Sequence, residues 1–211
     1  TFNLKDTYES ILTRLGYYAS GELRELYAST DPNAYSISDL IKDNKVMVLE
    51  GEGLDAVNKQ FIIHLFAQGI FLYAKKRPKK QEMLIVFEEA HQVIHDSKED
   101  IPLNIGEDVF EALMNESRGY GLYNLVIVQS PSMLPQNVVA NCSTIIAHKI
   151  GNADDAEMLV KHFNRDERFD NRDIIRWLYR QPIGQAVVKT SKVFDPFDSE
   201  PSLLQINYIP I

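Results

Sequence analysis

Two adjacent carboxylates, Glu88 and Glu89, follow the apolar run Leu84-Ile85-Val86-Phe87, and His91 stands two residues further on. Carboxylates set directly after a buried strand carry a desolvation cost unless something pairs or uses them. Two of them can divide labour, one beside a metal ion and the next against a water molecule. A polar amide, Gln129, follows a second run, Leu125-Val126-Ile127-Val128, and opens Gln129-Ser130-Pro131-Ser132. Between them, Arg118 closes a helical stretch on the exit Arg118-Gly119-Tyr120-Gly121. The plain reading of a helix-end arginine is attraction to the negative pole of the helix dipole; that of a strand-end amide is an ordinary hydrogen bond. His64 and His91 have no Cys or His partners at ligand spacing, so they read as packing or supporting groups. Cys142 has no neighbouring base in sequence and reads as a small buried residue.

The elements that must position these groups show in the hydrophobic pattern. Val46-Met47-Val48-Leu49, residues 84–87, residues 125–128 and Thr144-Ile145-Ile146-Ala147 are short, nearly all-apolar runs, as expected of parallel strands covered on both faces. Ala186-Val187-Val188 is a fifth, and a last strand is expected near 203–208 after a surface loop at 191–203 containing Pro196 and Pro201. Helical stretches are predicted at 56–74, 106–117 and 153–163. Strand and helix alternate, which describes a layered α/β domain over residues 44–211. Residues 1–43 form a separate helical segment: Leu4, Tyr8, Ile11, Leu12 and Leu15 recur at helical spacing, Gly16 interrupts, Leu23, Leu26 and Tyr27 continue, and Asp31-Pro32-Asn33 signals a turn.

Composition sets the bounds. The chain has 211 residues, 45% hydrophobic and 25% charged, an ordinary folded balance that excludes disorder and collagen. One cysteine excludes an intramolecular disulfide and suits a reducing, cytoplasmic setting. The apolar stretches are broken by His64, Gln68 and Lys75, too short to span a membrane, and no basic-then-apolar leader opens the chain. A formal net charge of −8 argues against indiscriminate coating of nucleic acid. Any grip on DNA must therefore be local. Lys75, Lys76, Arg77, Lys79 and Lys80 crowd around Pro78, and either a solvated loop or a DNA or partner contact would explain them.

In this order and spacing the residues resemble a known family. Four apolar residues before Glu88-Glu89-Ala90-His91 are similar to the Walker B strand of P-loop ATPases. Arg118-Gly119-Tyr120-Gly121-Leu122, a strand, and Gln129-Ser130-Pro131-Ser132 resemble the corresponding stretch of HerA/FtsK-type hexameric DNA translocases. Their pattern is roughly Arg-Lys-Tyr-Gly, a strand, then Thr-Gln-Arg-Pro-Ser. Residues 138–150, the helix start at Asp154-Asp155, and Pro182-Ile183-Gly184-Gln185-Ala186 continue the likeness, which runs from about Lys45 to Ile206.

The resemblance implies a RecA-like (ASCE P-loop NTPase) layered fold with a mostly parallel sheet. It implies ATP and Mg²⁺ as cofactors and a homo-oligomeric ring, a hexamer, acting on duplex DNA, with a nuclease as an expected partner. Glu89 would orient the water that attacks the γ-phosphate. Glu88, where the family usually has Asp, would hold Mg²⁺ through a water. Arg118 would serve a neighbouring subunit's nucleotide as an arginine finger, and Gln129 would sense the γ-phosphate or hold the attacking water.

One part is missing. The phosphate loop, Gly-x-x-x-x-Gly-Lys-Ser/Thr, does not occur, and the acidic Gly51-Glu52-Gly53 cannot replace it. In the family that loop lies N-terminal to every motif found here and its strand is central. The expectation is therefore an incomplete sheet in the C-terminal part of a longer ATPase, a fragment opening on Thr1 and inactive alone. A degenerate, non-hydrolysing ring subunit or scaffold, and a conjugation or viral DNA-packaging ATPase, are the alternatives.

Overall fold

In the computed structural model the described residues are 16, 36–41, 46–77, 82–94, 107–163, 170–190 and 202–205. Most of the expected N-terminal helical segment, Lys79 and Lys80, and the 191–201 loop lie outside them. Gly16 itself is helical instead of a break.

The first described element, α1 (Ile37–Leu40), is one turn closed by a capping box between Ser36 and Asp39. It sits against α2 (Ala56–Lys76) where Ile37 lies over Gly69, a position with no room for a Cβ. Asp55 caps α2 by accepting the Asn58 N–H at 2.9 Å, and Lys75 and Lys76 end it at the favourable negative pole of its dipole. Next come β1 (Met83–Phe87), α3 (Glu107–Glu116) and β2 (Leu122–Val126). Then follow α4 (Gln136–Asn141), β3 (Thr144–Ala147), α5 (Ala153–Phe163), α6 (Asn171–Arg180), β4 (Gln185–Thr190) and β5 (Ser202–Gln205).

The strands form two separate ladders. β1 and β2 pair in parallel, Met83 opposite Leu122 and Phe87 opposite Val126. β3, β4 and β5 form an antiparallel sheet in that order. The run at 144–147 is thus a strand, as expected, but antiparallel to β4. A four-residue apolar run carries no information on the direction of its partner, which the return through α6 decides.

Residues 46–49 depart further from expectation. They form no strand, and Val46 is 92% and Val48 72% exposed. A strand needs a neighbour for its backbone N–H and C=O groups, and none of the described residues supplies one.

Two cores result. In the first, Ala67, Phe71 and Ala74 of α2, Leu113 of α3 and Val138 of α4 all pack on one face of the parallel pair, against Phe87 and Leu122. The opposite face, with Leu84, Val86, Tyr123, Leu125 and Ile127, stays exposed among the described residues, where cover on both sides was expected. In the second core α5 and α6 bring Leu159, Val160, Phe163, Ile174 and Leu178 onto Ala147 and Val187. Partly buried Ile145 packs against both.

Candidate active site

The backbone at the end of β1 creates the site. Both polar groups of Ile127 are pinned across the strand ends: its N–H donates to Phe87 O at 2.9 Å, and its carbonyl accepts from Ala90 N at 3.1 Å. Residues 88 and 89 must turn out between these two bonds. Glu89 accordingly adopts φ 48° and ψ 45°, the one non-glycine residue with positive φ among those described. That conformation costs an L-residue about 1–2 kcal/mol. Such strain persists where surrounding bonds over-determine it, and it marks functional sites more often than chance.

The turn aims the Glu89 side chain at the end of β2. Gln129 Nε2 donates to Glu89 Oε1 at 2.6 Å, and His91 Nδ1 stands 3.4 Å from Oε2. Two groups singled out 40 residues apart in sequence are therefore in direct contact. His91 stands beside the pair. Glu88, next to them, is exposed and has no ion pair or hydrogen bond among the described residues.

The loop after β2 is anchored independently of Glu89. Ser130 Oγ lies 2.8 Å and 2.9 Å from the two carboxylate oxygens of Asp155, and Ser132 N donates to Asp155 Oδ1 at 2.9 Å. Asp155 is 3% exposed. In sequence Asp155 reads only as part of a helix start beside Asp154; its burial next to the exposed Asp154 shows only in the fold.

Arg118 lies elsewhere. It sits in a 3-10 turn, Ser117–Tyr120, that leads into the N-terminal end of β2, whereas Glu89 and Gln129 follow the C-terminal ends. The five-residue strand puts about 17 Å between those ends at about 3.3 Å per residue. The turn is held on several sides. Gly121 closes it with φ 72° and donates to Arg118 O at 3.1 Å. Gly121 O accepts from Met83 N at 2.9 Å. Asn124 Nδ2 donates to Ser117 Oγ at 3.0 Å and to Leu113 O at 3.1 Å. Arg118 itself is exposed.

Of the basic cluster, Lys75 and Arg77 contact their own chain. Lys75 Nζ pairs with Glu116 at 2.9 Å and lies 4.1 Å from the Phe71 ring centroid, and Arg77 Nη2 donates to Tyr120 O at 2.7 Å. Lys76 is exposed, and Lys79 and Lys80 lie outside the described residues.

His64 packs edge-on to Phe110, with centroids 4.6 Å apart. Cys142 is exposed instead of buried, because it follows the end of α4 at the domain surface; its Sγ lies 3.4 Å from Val138 O.

As a metal site the arrangement suits a hydrated ion. No group of three or more His, Cys, Asp or Glu gathers among the described residues. Mg²⁺ keeps several waters and takes one or two carboxylates plus substrate phosphates, so the unengaged Glu88 fits that role. The sequence holds no Gly-x-x-x-x-Gly-Lys-Ser/Thr run that would cradle phosphates.

The described residues form a mixed α/β chain, a parallel pair and an antiparallel sheet packed under helices, whose fold matches that of solved P-loop NTPases. Among solved structures it is similar to the genome-packaging NTPase B204 from Sulfolobus turreted icosahedral virus 2 in complex with AMPPCP. The TM-score is 0.56 at 14% identity, over 83% of this chain and 73% of that one. The same NTPase in complex with ATP-gammaS gives 0.56 at 14% identity, over 83% and 74%. The DNA-packaging ATPase B204 from Sulfolobus turreted icosahedral virus gives 0.55 at 13% identity, over 97% and 90%. No protein-family model and no curated protein matches the chain. No described helix is long and apolar enough to cross a membrane.

Proposed function

We propose that this chain is the hydrolytic part of an ATP-driven motor that moves duplex DNA, of the HerA/FtsK kind, working in the cytoplasm as a homo-oligomeric, hexameric ring. The observation that carries the reading is the Gln129–Glu89 hydrogen bond at the carboxyl ends of the parallel strands. Open α/β sheets bind ligands there. Glu89 accepts the proton of the attacking water and Gln129 holds its carboxylate in register. Glu88 would hold hydrated Mg²⁺, whose charge, when bound, would offset the charge of the phosphates. ATP is the expected nucleotide, since the similar packaging NTPases are seen with AMPPCP and ATP-gammaS.

The position of Arg118 supports action on a neighbouring subunit. It stands at the opposite end of β2 from Glu89, beside Lys75, Lys76 and Arg77, so it cannot reach its own Glu89. The basic end of one subunit and the acidic end of the next are complementary in a head-to-tail ring. No Gly-x-x-x-x-Gly-Lys-Ser/Thr run stands in the 211 residues; a ring subunit without a phosphate grip would scaffold without hydrolysing. A nuclease partner belongs to the same reading.

The viral packaging alternative is favoured by a specific observation, the DNA-packaging and genome-packaging designations of the similar structures. Both readings predict the same chemistry at Glu89.

The test is Glu89→Gln in the full-length protein. Turnover falls at least about 10²-fold, as for loss of a group that acts in general base catalysis, while nucleotide still binds. Unchanged turnover removes the reading. Absence of turnover and of nucleotide binding in the unaltered protein leaves the scaffold.

A further inference from the structure

We propose that Asp155 is a positioning residue that sets the Gln129 amide on Glu89 and so ties the second core to the hydrolytic carboxylate. The inference rests on the reading of Glu89 and Gln129 as the hydrolytic pair.

Asp155 is a buried acid whose hydrogen bonds all go to one loop. Its carboxylate takes Ser130 Oγ and Ser132 N, at 2.8–2.9 Å. It has no ion pair with Lys, Arg or His among the described residues, and burying a carboxylate without one is costly. Nor does it cap its own helix. Asn152 Oδ1 accepts the Asp154 N–H at 3.1 Å at the start of α5, and Asp154 faces water. The first-turn location softens the cost through the helix dipole, but the bonds themselves reach out of α5 to the segment that follows Gln129.

The local geometry shows why the loop needs this. Pro131 opens the 3-10 turn Pro131–Met133 and has no N–H to give; Ser130 precedes it with φ −127° and ψ 98°, without a side-chain cap on its own turn. Its hydroxyl is committed to Asp155 instead. Gln129, one residue earlier and past the last β1–β2 pair, has no ladder partner of its own. Its amide therefore stands on two supports, the Ile127 pins on one side and the Ser130–Asp155 bond on the other.

Asp155 belongs to α5, whose Leu159, Val160 and Phe163 lie in the second core, whereas Phe87 and Leu122 of the strands lie in the first. A shift of α5 against β2 would thus pull Ser130 and move Gln129 from Glu89. Met158 of the same helix packs on the first core, and the Asp155 bonds add to that contact a direct, oriented tie to the loop.

The test uses the full-length ¹⁵N-labelled protein with Asp155→Asn and, because a buried acid can be needed for folding, Ser130→Ala as a second variant. The readout is the Gln129 side-chain amide resonance, with Glu89→Ala as the reference for a broken contact, since a glutamine at 89 would still accept the bond. Both variants are expected to move that resonance toward its position in Glu89→Ala. Turnover should fall about tenfold with nucleotide affinity within twofold, and the double variant should be no worse than either alone. A lowered melting temperature with the Gln129 resonance unmoved would make Asp155 merely structural and overturn the proposal. If instead the resonance moves but Glu89→Gln itself leaves turnover intact, the positioning stands and the hydrolytic reading fails.

Discussion

Arg77 Nη2 donates to the Tyr120 carbonyl at 2.7 Å, joining the end of α2 to the turn that carries Arg118, 43 residues away in sequence. With Lys75 on Glu116, it makes the C-terminal turn of α2 a bracket for that turn. A cluster that reads in sequence as either a solvated loop or a DNA or partner contact therefore has two of its members engaged within the chain.

Arg77→Ala should lower stability by about 2 kcal/mol, the range of a hydrogen bond from a charged group. Lys75→Ala should cost at most about 1 kcal/mol, because the ion pair is half exposed. Denaturant titration measures both. Lys76→Ala should leave stability unchanged, and if Lys76 meets a phosphate the salt slope of DNA binding falls by about one. An unchanged slope returns Lys76 to the solvent.

Arg118→Ala should abolish turnover, by about 10³-fold or more for a true arginine finger. Because the arginine cannot reach its own Glu89, mixing Arg118→Ala subunits with Glu89→Gln subunits should restore part of the activity. A mixed ring contains some interfaces with both groups intact. No recovery, in rings shown to be mixed, would remove the trans assignment.

Glu89→Gly should abolish turnover and yet melt above Glu89→Ala, since both lose the Gln129 bond but only alanine keeps the strain. Relief of the left-handed strain gains about 1–2 kcal/mol, offset by about 0.4–1 kcal/mol from the freer unfolded chain. Equal melting of the Gly and Ala variants would show that the backbone at 89 is unstrained.

Cys142 should alkylate slowly at neutral pH. Desolvation raises its thiol above the ordinary 9.0, so at any pH below that value the folded protein holds less reactive thiolate than an unfolded chain. Iodoacetamide rates with and without denaturant measure this; the folded rate should be the lower and should recover only in more alkaline solution. Linkage has the same sign: stability falls as pH rises above 9.0.

The helix at 153–163 and strands at 84–87, 144–147 and 186–188 were legible because their apolar residues recur at one period or fill one short run. α6 was missed. Half of its Asn171–Arg180 sequence is polar, and Ile174 and Leu178 alone supply its fully buried stripe. The run at 46–49 looked like a strand because four apolar residues in a row do, yet pairing is a property of a neighbour, which the run cannot encode.

At the site, residue types at strand and helix ends, together with the order of the motifs, singled out Glu88, Glu89, Arg118 and Gln129 as candidates. The sequence by itself also determined the alternation of strand and helix and the net charge of −8, through hydrophobic periodicity and simple counting. The tertiary structure alone decided that Glu89 and Gln129 touch, that Arg118 stands at the far end of β2, and that Asp155 holds the loop between. Hydrogen bonds act over about 3 Å, whereas these partners are 25–40 residues apart along the chain. Only the parallel pairing of β1 with β2 and the packing of α5 beside them bring such groups within that range.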